Sequence, residues 1–511
     1  MQKSKTTMLN AISALMLTMI NGVLGLVVTR LVLSTFGSEF NGLNSVATQL
    51  INMMLIVEGG FTIATNVALL KPYVNRDFEE INRIIVATSN IFKKIGLVFF
   101  CVGIIVTIFY GFLVKTTLND TIIFLVLIMT FLPAAINLYY TMKYRILIQA
   151  EQKEYIISLI TVLTITAGHI INISLIYGNF SAMWGVRLVV MICSLVNSTL
   201  IVIYCKKKYK FLDFSAKPNY SSIKGTKDVF IQKITGAIYS TLPIIFISLA
   251  SAGGTALASV YAVYNSVFLL VKSMLYAITN APRLGMGQTI VENDDEKTYK
   301  IFIQYELVSI IILFLFMISA STLIMPFISI YTKNIYDVNY VDYNIAAFLI
   351  AITLLEILHI PSGHIINMSG NFKISKKFQI IACILLIVSI VFGSIMKGIY
   401  GILFGVFLTA LFLAIIEIYY THCVYFKKGI MNYWKLLWPN LFIGICLSIL
   451  ELKFTKGINN YIQFLVNGTL LTSINFLLII ITNFIFNRSI INPIILRIIS
   501  FFGNFPKKIR T

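Results

Sequence analysis

Apolar residues run along the chain in about fourteen stretches of roughly 20–28 residues, and about 20 such residues already cross a bilayer as a helix. The first stretch begins near Met8 and the last near Ile458. The polar clusters between them are too short to fold on their own. The pattern predicts an all-α integral membrane protein of about 14 transmembrane helices, because a helix satisfies its own backbone in hydrocarbon.

The longest interior polar segment, Lys206 to Lys227, carries Pro218 and separates six spans from eight. Expected boundaries are a first lobe at 1–205 (spans 1–6), a basic linker at 206–228 and a second lobe at 229–428 (spans 7–12). Spans 13–14 follow at 429–487, then a basic tail at 488–511. Setting Ser34–Glu58 on Ser248–Lys272 aligns Ser34/Ser248, Leu43/Leu257, Ser45/Ser259, Val46/Val260, Leu55/Leu269 and Val57/Val271 without a gap. This suggests parallel repeats, which in transporters flank a central cavity. Pro133, Pro243, Pro326, Pro361 and Pro439 fall within spans, where kinks are expected.

Charge adds orientation. Hydrophobic residues make up 58% of the chain and charged ones 12%, with a formal net charge of +20. The excess lies in short loops, not on one folded face, which argues against nucleic acid as a partner. Assigning each Lys and Arg to a side gives a roughly sixfold bias, and the positive-inside rule then puts both termini in the cytoplasm. The first apolar stretch is too long for a signal-peptide core and reads as a retained span. The six cysteines form no C-x-x-C pair, so neither disulfides nor a metal centre are expected. No phosphate-binding loop of the G-x-x-x-x-G-K-[ST] type occurs, and no hydrolase or transferase constellation is visible, so neither an enzyme nor a cofactor is expected.

Ionisable residues within spans are costly and usually face a cavity or a partner. Glu58 falls mid-span and shares a face with Asn44, Thr48, Asn52, Thr62 and Asn66; this stripe lines either water or another polar helix. Lys272 shares a face with Tyr261, Tyr264, Asn265, Phe268 and Tyr276, and occupies the place of Glu58 in the repeat alignment. Arg30, near the outer end of the first span, either snorkels outward or grips a phosphate. Glu356 and His359, one turn apart, read as an ion-coupling site or a structural hydrogen bond. Glu417 and the pair His169 and Asn172 are weaker candidates. Tyr140, with Asn137, Thr141 and Tyr144, suits sugar hydroxyls or helix packing. Lys233, Glu306 and Arg187 lie near span ends and are expected to snorkel.

The N-terminal segment carries Thr29-Arg30-Leu31-Val32-Leu33-Ser34-Thr35-Phe36-Gly37, then Glu39, a turn at Asn41-Gly42-Leu43-Asn44, and Glu58-Gly59-Gly60. This resembles the polysaccharide-transport (Wzx-type, O-antigen flippase) branch of the multidrug/oligosaccharidyl-lipid/polysaccharide (MOP) exporter superfamily. The resemblance implies two six-helix lobes in a V around a central cavity, with two added C-terminal helices. It implies a bacterial inner-membrane flippase that moves undecaprenyl-diphosphate-linked oligosaccharide outward for O-antigen, capsule or exopolysaccharide synthesis, with a polysaccharide polymerase as a working partner. Basic residues on the first and eighth spans of related flippases point to Arg30 and Lys272 for the diphosphate. Glu58, Asn52, Tyr264, Asn265 and Tyr140 then line the sugar path, and Glu58, Glu356 and His359 are the ion-coupling candidates. The alternative is a cation-coupled exporter of drugs or metabolites from the same superfamily, against which spans 13 and 14 count. An intramembrane glycosyltransferase or polymerase would carry a large outward loop, and a scaffold would gain little from midplane charges.

Overall fold

A computed structural model describes the backbone of residues 2–503 apart from 180–181, 222, 224–226, 281–285, 287–288 and 291–293. Side chains at 2–5, 7, 57, 63, 227–230 and 497–503 are also outside the described set. Lys224, Lys227, Arg283 and the end of the basic tail, all counted in the charge bias, therefore lie outside the described side chains.

The elements are α1 (Gln2–Asn75), α2 (Phe78–Leu113), α3 (Asp120–Ala150), α4 (Glu154–Tyr177), α5 (Met183–Lys208), α6 (Lys227–Ala250) and α7 (Gly254–Asn280). They continue as α8 (Asp295–Tyr331), α9 (Tyr343–Met368), α10 (Phe372–Lys397), α11 (Ile399–Tyr425), α12 (Met431–Thr455), α13 (Tyr461–Phe486) and α14 (Arg488–Gly503). No strand occurs among the described residues. Thirteen helices among them are long and apolar enough to cross a membrane.

The first of these holds two crossings. At 1.5 Å per residue, a straight helix of 74 residues would be far longer than a bilayer is thick. It breaks at Gly37, whose φ of 83° and ψ of 175° leave the helical region, so α1 is two legs joined at one residue. Glycine adopts that φ without the Cβ penalty other residues meet. Asp337 caps the second leg: its Oδ2 accepts from Ser38 N at 2.6 Å and its Oδ1 from Ser38 Oγ at 2.7 Å. Gly37 aligns with Ser251 in the suggested repeat register, and Ser251 lies in the turn between α6 and α7, so the helix breaks at both aligned positions.

The turn expected at Asn41–Gly42 is helix instead. Asn41 Nδ2 donates to Ser259 Oγ at 2.7 Å, and a Cβ on Gly42 would sit 1.7 Å from the Thr255 carbonyl oxygen. These residues serve close helix contact, and the chain turns earlier, at Gly37.

The described chain divides into two compact units. The first holds Met1–Ser266 with Asn334–Asn339 and Ile390–Ile402; its core includes Phe40, Leu43, Phe92, Phe131 and Tyr264. Here Glu39 Oε2 accepts from Thr116 Oγ1 and Thr117 N, both at 2.6 Å, fixing the loop after α2. The basic segment after α5 is anchored too. Asn82 Nδ2 donates to the Phe211 carbonyl at 2.9 Å, Asn219 Nδ2 to Glu80 Oε1 at 2.7 Å, and the Tyr209 hydroxyl to Glu151.

The second unit holds Val267–Lys333, Tyr340–Ser389 and Leu403–Thr511. In it α8 is the central post. Small residues bring α12 and α13 against it: a Cβ on Gly444 would lie 2.8 Å from Phe314, and one on Gly468 3.3 Å from Leu323. Polar bonds add to the contact, from Ser321 to Ser448 at 2.9 Å, Ser319 to Thr472 at 3.1 Å and Thr322 to Glu451 at 3.0 Å.

Candidate functional site

In the first unit the polar stripe of the second leg meets two arginines. Arg187 of α5 donates through Nη2 to the Asn44 carbonyl at 2.6 Å and to Thr48 Oγ1 at 2.8 Å, so it reaches inward and does not snorkel. Farther along, Asn66 Nδ2 donates to Gln149 Oε1 at 3.1 Å, while Asn52 is exposed and bonds Gln49 at 3.2 Å. Glu58 is half-buried, with the charges of Arg145 and Lys233 acting on it. The Lys233 chain runs beside the stripe, 3.4 Å from where a Cβ on Gly59 would lie.

Arg145 also lines a cavity of about 340 Å³ with Asn21, Thr161, Thr164, Asn172 and Asn197 among its walls. Arg145 Nη2 donates to Asn197 Oδ1 at 2.8 Å, and Asn197 Nδ2 donates to Thr161 and Thr164 at 3.1 and 3.0 Å. The buried Arg145 Nε and Asn172 Oδ1 find no hydrogen-bond partner among the described residues. One cation among amides and hydroxyls suits a hydroxylated or anionic ligand better than a cationic one.

Among its described residues the second unit holds three carboxylates deep in its helices that each face a lysine or a histidine. Lys272 Nζ of α7 lies 2.8 Å from Glu356 Oε2 of α9. His359 Nδ1 lies 2.8 Å from Glu417 Oε2 of α11, and His422 Nε2 lies 3.1 Å from Glu306 Oε2 of α8. Both side chains of the last pair are 0% exposed, so Glu306 does not snorkel. Tyr299, Phe302 and Tyr433 ring His422, which sits in a π-helical turn, Tyr420–Tyr425. Such turns often mark functional positions. His364 Nδ1 meets the Tyr305 hydroxyl at 2.8 Å.

Each charge is thereby matched locally, as burial demands. The helix periodicity suggests Glu356 with His359, but helix α9 is interrupted at His359 ahead of Pro361 and the two turn to different partners. Tyr264 is fully buried, Tyr140 is 58% exposed, and Arg30 and Asn265 are half-buried. Arg145 and His422 are not among the residues that the sequence pattern singles out. The amide and hydroxyl face shared by Asn172, Asn197, Thr161 and Thr164 was the available signal for the first. Nothing local marks the second, whose partner is 116 residues away.

No protein-family model matches the chain, and no curated protein matches its sequence. Solved structures do match. The lipid II flippase MurJ in an inward closed conformation aligns with a TM-score of 0.70 at 14% identity, covering 95% of this chain and 100% of its own. An inward-facing multidrug-resistance MATE transporter of the MOP superfamily aligns at 0.66 and 14%, covering 82% and 99%. A eukaryotic MATE transporter aligns at 0.53 and 16%, covering 86% and 99%. The chain is a multi-pass membrane protein with the fold of MOP-superfamily transporters.

Proposed function

We propose that the protein is a flippase for undecaprenyl-diphosphate-linked oligosaccharide, working by alternating access in a bacterial inner membrane with both termini cytoplasmic. The observation that carries this reading is coverage: the flippase structure spans 95% of the chain, the inward-facing multidrug transporter 82%. The shortfall is about the size of the last two crossing helices. A diphosphate bearing sugars needs partners to replace its water, because burying unpaired charge is prohibitive. Arg30 and Lys272 remain our candidates for the diphosphate, with Glu58, Asn52, Tyr264, Asn265 and Tyr140 toward the sugars and Glu58, Glu356 and His359 for ion coupling. We add Arg145 and its amide-lined cavity for hydroxyls. Lys272 is held by Glu356, so its use on a phosphate requires that pair to part.

The test uses cells lacking the protein with glycan assembly otherwise intact. Lipid-linked oligosaccharide should accumulate on the cytoplasmic face and surface polysaccharide should fall, with rescue by wild type and weaker rescue by Arg30→Ala and Arg145→Gln. Unchanged lipid-linked pools and unchanged surface glycan would move the exporter reading to the front.

A further inference from the structure

The outer side of the α12–α13 pair carries a groove of about 1020 Å³ lined by Trp434, Lys435, Trp438, Pro439, Phe442 and Phe486, among others. Asn440 and Asn483, each 0% exposed, exchange amide bonds at 3.1 and 2.7 Å and pin the helices together. Pro439, next to the clamp, has no N–H to give the α12 ladder. Trp434 and Trp438 lie 6.0 Å apart, centroid to centroid, with Lys435 between them in sequence.

The groove lies at the end where α12 begins and α13 finishes, the end carrying Lys427, Lys428 and Arg488. Tryptophans belong at the headgroup level of a membrane, and a basic residue between spans on that side captures lipid phosphate. Lys428 is already taken, 2.7 Å from Glu296. Lys435 is exposed and, among the described residues, forms no ion pair. A second groove, of about 720 Å³ between α8 and α13, is lined by Leu315, Phe464, Phe476 and neighbours without a charged residue, and offers no hold on a headgroup.

We propose that the α12–α13 groove is a binding site for an anionic bilayer phospholipid, its acyl chains against Trp438, Phe442 and Phe486 and its phosphate on Lys435. The site needs only a membrane around the protein and does not depend on what the protein transports.

The full-length protein, purified and exchanged into equimolar phosphatidylglycerol and phosphatidylcholine, should retain one phosphatidylglycerol in native mass spectra with a preference of about fivefold, the bias one lysine supplies at a lipid surface. Lys435→Gln should abolish the preference while keeping the wild-type melting temperature. Trp438→Ala should lose both lipids. In a Trp184→Phe background, phosphatidylglycerol brominated on its chains should quench tryptophan emission, and less so after Trp438→Ala. Equal retention of both lipids by wild type, or a preference that survives Lys435→Gln, would overturn the proposal. So would displacement of phosphatidylglycerol by equimolar undecaprenyl phosphate, which would make the groove part of a prenyl-lipid path.

Discussion

At the scale of single residues, several of the hidden charges face an opposite charge, and this makes their sensitivities predictable. Glu151, in the turn between α3 and α4, receives Tyr209 and Lys153 and lies 3.4 Å from Lys208. Burial alone would raise its carboxyl, but those bonds and the two lysine charges outweigh it and hold the group below its ordinary 4.5. The folded form thus binds the proton more weakly than the unfolded chain, so the stabilisation is complete above the unfolded value and fades as pH drops below it. Glu151→Gln should cost about 1 kcal/mol near neutrality, discounted for partial exposure, and progressively less as acid protonates the carboxylate; urea unfolding across pH measures it. The pair His359 and Glu417 should behave differently, since its side chains are 15% and 4% exposed. His359→Leu alone should destabilise by about 3 kcal/mol by stranding a carboxylate, whereas His359→Leu with Glu417→Leu should recover most of the loss. Additive effects of the two substitutions on thermal melting would deny the coupling.

At the scale of elements, the spans were legible because hydrocarbon thickness sets a length and a composition that no other constraint overrides. The break in α1 was not. Asn41–Gly42 has the better turn chemistry, yet the backbone leaves the helix at Gly37, where Asp337 waits some three hundred residues downstream. A local reading has no access to such a partner. Gly37→Ala should cost about 1–2 kcal/mol for the positive φ, and Asp337→Ala about 1 kcal/mol for the lost cap. Asp337→Asn, which still accepts at the cap, should lie closer to wild type in the same melts.

At the scale of the whole molecule, the sequence indicates a multi-pass helical membrane protein but not the wiring of its polar groups. Glu58, Lys272, Glu356 and His359 stand out because charge is rare in spans, and each engages charged groups from other helices. Which groups cannot be read from a helix face, because pairing depends on how neighbouring helices rotate. Arg145 does not stand out in sequence among nearby cations, and its setting emerges only from α4 and α5 placing Asn197, Thr161 and Thr164 around it. The proposed accumulation of lipid-linked oligosaccharide in deficient cells belongs to this scale, since it tests the whole molecule and no single contact.

The reciprocal amides of Asn440 and Asn483 also bear on how the chain is made. Each is a poor passenger in hydrocarbon alone, and together they satisfy one another. Only Lys456–Asn460 separates the two helices. They should therefore leave the insertion machinery as one hairpin, the earlier helix waiting at the exit until the later one arrives. Asn483→Leu, by making α13 an easy passenger and leaving Asn440 unmatched, should delay release of α12 alone, visible as prolonged crosslinking of α12 to the translocon during synthesis.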